Sequence, residues 1–230
     1  MIIALLITIL FVILILILLL LFTLNIGNLK IEEPFTNDND TNSNSLNIVL
    51  IGDSILNNSA YVSADQSVPD ILSKKMNENI IYNFAKDGST INDCYAQLEK
   101  ISLQLDNSKT SIFLSCGGNN ILNSRDNKAI ANLFAKYKDL IASIKTRVPN
   151  ASLYVLNLYY PTDGHYVSYR KAIEQWNGLL QSNSSSSDQK YNLIDLSSLL
   201  VLEEDFVYGI EPSFKGGQKI VDAISNSVVN

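Results

Sequence analysis

The chain has 230 residues, 47% of them hydrophobic, and a formal net charge of -6. Beyond an unusual first thirty residues, that length suits one ordinary domain with a proper core. Its 17 Lys+Arg are scattered, and without a basic stripe nucleic acid is excluded as a partner.

The first element is an almost unbroken apolar run, Ile2 to Leu24, with no charged side chain before Lys30. A run of that length crosses a bilayer core as a helix, and it lacks the polar stripe of a soluble helix. A cleaved signal peptide would carry a basic start and a shorter apolar stretch. Residues 1–29 therefore read as an uncleaved, single-pass membrane anchor. Lys30, followed by Glu32 and Glu33, gives no positive-inside bias to orient it. Residues 30–45, dominated by Asn, Asp, Ser and Thr, cannot bury enough surface to order themselves and read as a flexible tether. The domain proper is 46–230.

Within it, short apolar runs alternate with longer amphipathic stretches. Strands are expected at Leu46–Ile51, Asn79–Phe84, Thr110–Ser115, Ala151–Leu158 and Tyr191–Leu196. Helices are expected at Ser67–Asn77, Ile91–Gln104, Asp126–Arg147, Val167–Gln181 and Lys215–Val228. This alternation predicts an α/β fold, a five-stranded parallel sheet between two layers of helices. Cys94 and Cys116, too few for a disulfide-built module, read as half-buried free thiols. Trp176 reads as core.

In open α/β sheets ligands bind beyond the carboxyl ends of the strands, so chemistry is expected in the segments after each strand. The first is Gly52-Asp53-Ser54, a turn that exposes a serine at the sheet edge. The second carries Gly88, able to present a bare backbone N–H. The third, Gly117-Gly118-Asn119-Asn120, offers a side-chain amide at Asn119. The N–H groups of Ser54 and Gly88 and the Asn119 amide together suit an oxyanion hole. The fourth contains His165, the only histidine, two residues after Asp163. Tyr159, Tyr160, Tyr166 and Tyr169 gather around it, a set able to stack on a sugar. No Cys/His/Asp spacing suggests a metal and no Gly-rich phosphate loop is present, so no cofactor is expected.

Ser54, Gly88 and Asn119, each following a successive strand, resemble the signature of the SGNH (GDSL-type) serine hydrolase superfamily. Gly52-Asp53-Ser54-Ile55 is similar to its first block, and Gly117-Gly118-Asn119-Asn120 to its Gly-x-Asn-Asp block, with Asn120 in place of Asp. The resemblance spans Leu46 to Val228. It implies a three-layer, flavodoxin-like fold and action on acyl esters, with Ser54 as nucleophile.

The last block departs from the family pattern Asp-x-x-His-Pro. Here the chain reads Tyr208-Gly209-Ile210-Glu211-Pro212, with Tyr208 at the Asp and Glu211 at the His. Serine needs a base to become a good nucleophile, and a carboxylate is a weaker base than imidazole at neutral pH. The expectation is a degenerate, weakly active or inactive relative that retains the pocket and binds an acyl or glycan group. Two alternatives stand beside it. One is an active esterase or deacetylase using Glu211 or His165 as base. The other is a membrane scaffold or adhesion protein without chemistry.

Overall fold

The computed structural model describes residues 45–124, 129–186 and 190–229. The expected anchor, and the tether up to residue 44, lie outside the described residues. Among the described residues no helix is long and apolar enough to cross a membrane.

Five strands form one parallel sheet: β1 (Asn47–Gly52), β2 (Ile80–Asn83), β3 (Thr110–Ser115), β4 (Ser152–Leu156) and β5 (Asn192–Ile194), in the order β2-β1-β3-β4-β5. β3 is buried throughout and β1 from its second residue. That burial explains why both read as continuous apolar runs rather than alternating ones. Their register sets Gly52 beside Ser115 at the carboxyl ends.

Chain order steps one way from β1 to β2, then crosses back to β3 and onward. Right-handed crossovers then place α1 (Val68–Lys75) on one face and α2 (Ile91–Leu98), α4 (Ala129–Arg147) and α5 (Arg170–Asn183) on the other. The packing agrees: α1 lies against the last helix, α6 (Phe214–Val229), while α4 packs on both α2 and α5. The reversal of direction falls between β1 and β3, where this topology opens its ligand crevice.

Trp176 on α5 is fully buried, with its ring edge-on to Phe134 and Tyr137 at 5.4 and 5.0 Å. Cys94 and Cys116 are free, and both are fully rather than half buried. They touch each other, and burial pushes the Cys116 thiol well above its ordinary pKa.

Element ends differ from expectation where polar side chains intervene. The helix expected to reach Gln104 stops at Leu98. The Ser102 side chain then accepts from the Gln104 N–H and opens a separate 3-10 turn, Leu103–Leu105. Asp163 similarly caps a 3-10 turn, Gly164–Tyr169, ahead of α5. A short helix, α3 (Gly118–Asn123), forms where only a turn was expected. So does an antiparallel hairpin of β6 (Phe206–Val207) and β7 (Glu211–Pro212).

Candidate active site

β1 ends at Gly52, whose φ of +149° is open to glycine and rarely to other residues. A Cβ there would lie 1.9 Å from the Ser115 carbonyl oxygen. Next, Leu56 and Asn57 both donate their N–H to the Asp53 carbonyl, closing the tight turn that carries Ser54. Gln97 on α2 fastens this turn from below. Its Oε1 accepts from the Gly52 N–H at 2.7 Å, and its Nε2 donates to the Gly52 carbonyl at 2.9 Å and to Ser89 Oγ at 3.1 Å. Ser54 is only 6% exposed. It lines a cleft rather than standing at the open sheet edge, because the segments after β4 and around β7 fold over it.

That cleft, of about 50 Å³, is lined by Asp53, Ser54, Gly118, Asn119 and Glu211 on its polar side. Its other wall is apolar, with Ile55, Ile121, Leu122, Leu158, Tyr159, Pro161, Ile173 and Ile210. Asn119 donates one N–H to the Ser89 carbonyl at 2.9 Å, which leaves its second amide hydrogen for a ligand. Asn120 caps the start of α2 by accepting from the Ile91 N–H at 2.9 Å. Its amide thus meets a need that an Asp would also meet. Gly88 does not line the cleft. It has a φ of +76° with open space beside it, and it reaches the site through its neighbour Ser89, to which Asn119 is bonded.

Glu211 is positioned by the β6–β7 hairpin. Tyr208 and Gly209 have φ of 53° and 66°, and the Ile210 N–H donates to the Val207 carbonyl. Successive positive φ values are those a type I′ turn requires. The turn sends Tyr208 outward, 77% exposed, at the position of the expected acid. The hairpin is held by hydrogen bonds that include Asn58 Nδ2 to the Pro212 carbonyl at 3.0 Å, Tyr159 Oη to the Ile210 carbonyl at 2.7 Å, and the Thr162 N–H to the Gly209 carbonyl at 2.8 Å. The same Asn58 accepts from the first N–H of α1, Val68, at 2.8 Å.

So held, the Glu211 carboxylate comes within reach of the Ser54 and Tyr61 hydroxyls. Its Oε2 is buried and without a hydrogen-bond partner among the described residues, so an acceptor remains unused. Burial raises the Glu211 pKa, and the Asp87 charge adds to the rise, while Ser54 and Tyr61 oppose it. Asp53 is 2% exposed and is pushed up to about 7. Burial is the main cause, the Ile55 N–H opposes it, and Glu211 and Asp87 raise it further. That Ile55 N–H reaches Asp53 Oδ1 at 3.1 Å.

His165 stands apart. Its ring is 90% exposed, its Nδ1 is 2.6 Å from Asp163 Oδ1, and it does not line the cleft. Of the tyrosines, Tyr159 lines the cleft, Tyr160 lies under the Arg170 guanidinium at 4.5 Å, and Tyr166 and Tyr169 sit 6.5 Å apart. Ser54, Asn119 and Glu211 are therefore brought together and His165 is not. Gln97, Asn58, Tyr61 and Asp53 complete the site, although the motif pattern pointed to none of them as working groups. Among the described residues no group of His, Cys, Asp or Glu is arranged to hold a metal ion.

Comparison with known proteins gives the same picture. The family model for GDSL-like lipases and acylhydrolases matches residues 50–211. No curated protein matches by sequence. Solved structures do. A lipolytic G-D-S-L family protein from Veillonella parvula is 19% identical, with a TM-score of 0.62 over 79% of this chain and 97% of its own. An extracellular lipase from Streptomyces rimosus is 17% identical, with 0.59 over 80% and 100%. An acetyl xylan esterase is 13% identical, with 0.64 over 80% and 100%. At these identities the likeness is one of fold.

Proposed function

The chain belongs to the GDSL-like lipase/acylhydrolase family, and from that premise we propose that it is a membrane-anchored, slow acyl-ester hydrolase in which Ser54 is the nucleophile and Glu211 the base. The observation that carries this reading is the meeting of Ser54 and Glu211 at one cleft. In the first step Glu211 takes the Ser54 proton as Oγ bonds to the ester carbonyl carbon. The oxyanion is received by the Ser54 N–H and the free Asn119 N–H. The carbon–oxygen bond then breaks and Glu211 returns the proton to the departing alcohol. Water releases the acyl group by the reverse sequence. A carboxylate does this more slowly than imidazole, because its pKa lies further from neutrality. The burial that raises Glu211 recovers part of the difference. The apolar wall suits the acyl part of an ester, including one carried on a sugar.

Steady-state hydrolysis of p-nitrophenyl acetate by the full-length chain tests this reading. Slow turnover abolished by Ser54→Ala is expected. Turnover that survives Ser54→Ala would overturn it.

A second reading is ligand binding without turnover, favoured by Tyr208, which leaves Glu211 without the orienting carboxylate of the family pattern and points into solvent. Binding of an acetylated sugar, with Ser54 inert to a fluorophosphonate, would select it.

A further inference from the structure

Asp53 has no role in the hydrolase reading above, yet it shares the cleft with Ser54 and Glu211. It is almost wholly enclosed, and its Oδ2 lies 4.0 Å from where a Cβ on Gly118 would stand. Gly118 directly precedes Asn119, and Asp53, Gly118 and Asn119 all line the cleft with Ser54. Among the described residues, none lining the cleft is Lys, Arg or His. The groups that shift Asp53 by their charge are the carboxylates Glu211 and Asp87. Tyr61, Tyr137, Tyr159 and Cys116 feel its charge in turn, and every one of them is an acid. A second anion here would have no cation to balance it, only the Ile55 N–H at 3.1 Å, and would stand beside the negative charge that develops on the substrate oxygen.

We propose that Asp53 works as a neutral carboxyl behind Ser54, and that loss of its proton switches the site off while Glu211 works ionised. The two carboxyls thus work in opposite protonation states. Glu211 moves the proton between Ser54 and the leaving alcohol, and Asp53 keeps its own proton throughout, so the balance of the reaction is unchanged. Asp53 acts through its field on Ser54 and the oxyanion and is a positioning residue rather than a catalytic one. Its position close to neutrality places the switch in the working pH range.

The inference rests on the hydrolase reading, and two measurements separate the fates of the two. The first is the pH profile of Ser54-dependent p-nitrophenyl acetate hydrolysis by the full-length chain. The wild type should lose activity by about tenfold per pH unit above about 7, the slope of a single proton. In Asp53→Asn, which holds the neutral form at every pH, that falling limb should vanish. A uniform loss at all pH with the limb intact would overturn the proposal and leave the hydrolase reading standing. The second measurement needs no activity and no Asp53 variant. In the chain labelled with 13C at Asp carboxyls, one resonance should titrate near pH 7, and Glu211→Gln should lower its midpoint. Asp carboxyls that all titrate below pH ~5 would overturn the proposal whether or not the chain hydrolyses esters.

Discussion

Gln97 grips Gly52 by both sides of its backbone, accepting from the N–H at 2.7 Å and donating to the carbonyl at 2.9 Å. Both partners are buried, so water cannot replace these bonds. Gln97→Leu should cost about 1–3 kcal/mol, the price of leaving buried backbone groups unpaired. It should also slow Ser54 labelling by a fluorophosphonate, because the nucleophile turn loses its anchor. Chemical denaturation and labelling rate check the two effects. Unchanged stability would refute the structural part.

Glycines at the site should differ sharply in tolerance. Gly52→Ala drives a methyl onto the Ser115 carbonyl oxygen at 1.9 Å, between the two central strands, where neither can yield. A loss of at least ~3 kcal/mol is expected, in the range of severe core disruption. Gly88→Ala meets nothing within 4 Å, and its φ of +76° makes backbone strain the only penalty, about 1–2 kcal/mol. Because Gly88 does not line the cleft, the alanine variant should keep ester hydrolysis once folded. Equal destabilisation of the two variants would contradict the geometry.

The hairpin offers a stabilising change. Tyr208 occupies a positive-φ position that bulky residues adopt at a cost, whereas Asn followed by Gly is the preferred pair in such turns. Its ring is exposed, so little packing is lost. Tyr208→Asn should raise stability by about 0.5–1 kcal/mol, read as an increase in the denaturation midpoint. A decrease would contradict the left-handed conformation assigned to Tyr208.

Asp53 also links stability to pH. Its folded pKa of about 7 lies above the ordinary value of 3.8, so the folded chain holds a proton that the unfolded chain releases. The stabilisation from that proton is fully present below pH ~4 and is lost as pH rises through 7, by about 4 kcal/mol at most. Asp53→Asn has no proton to lose. Its Tm relative to wild type should therefore shift upward between pH 5 and pH 8, on the order of 5–10 °C. A constant difference across that range would contradict the assignment.

Much of this was legible in the sequence, and the exceptions share a cause. Thr110–Ser115 is apolar and bounded by turn residues, so its strand was plain. Ser54 and Asn119 follow strand ends, and topology alone brings such positions to one edge, whereas Glu211 is carried there by the β6–β7 hairpin. Gln97 was hidden because an amide within an amphipathic helix looks like solvent-facing polarity, and only the approach of Gly52 gives it a partner. Tyr61 and Asn58 lie between recognisable elements, in a loop whose path depends on tertiary contacts. The hairpin was hidden because it rests on a left-handed Tyr208, which local preference opposes. His165 sat at the correct edge by chain order, yet its own turn aims the ring at Asp163 and solvent.

The working partnership of Ser54 and Glu211 is tested most directly by the rate constant for fluorophosphonate labelling of Ser54 at pH 6.5, measured in the wild type and in Glu211→Gln. Labelling of the wild type, slowed at least ~100-fold in the variant, is the expected result, as befits the loss of a general base. Equal rates in the two proteins, or a wild-type Ser54 that does not react, would contradict the account.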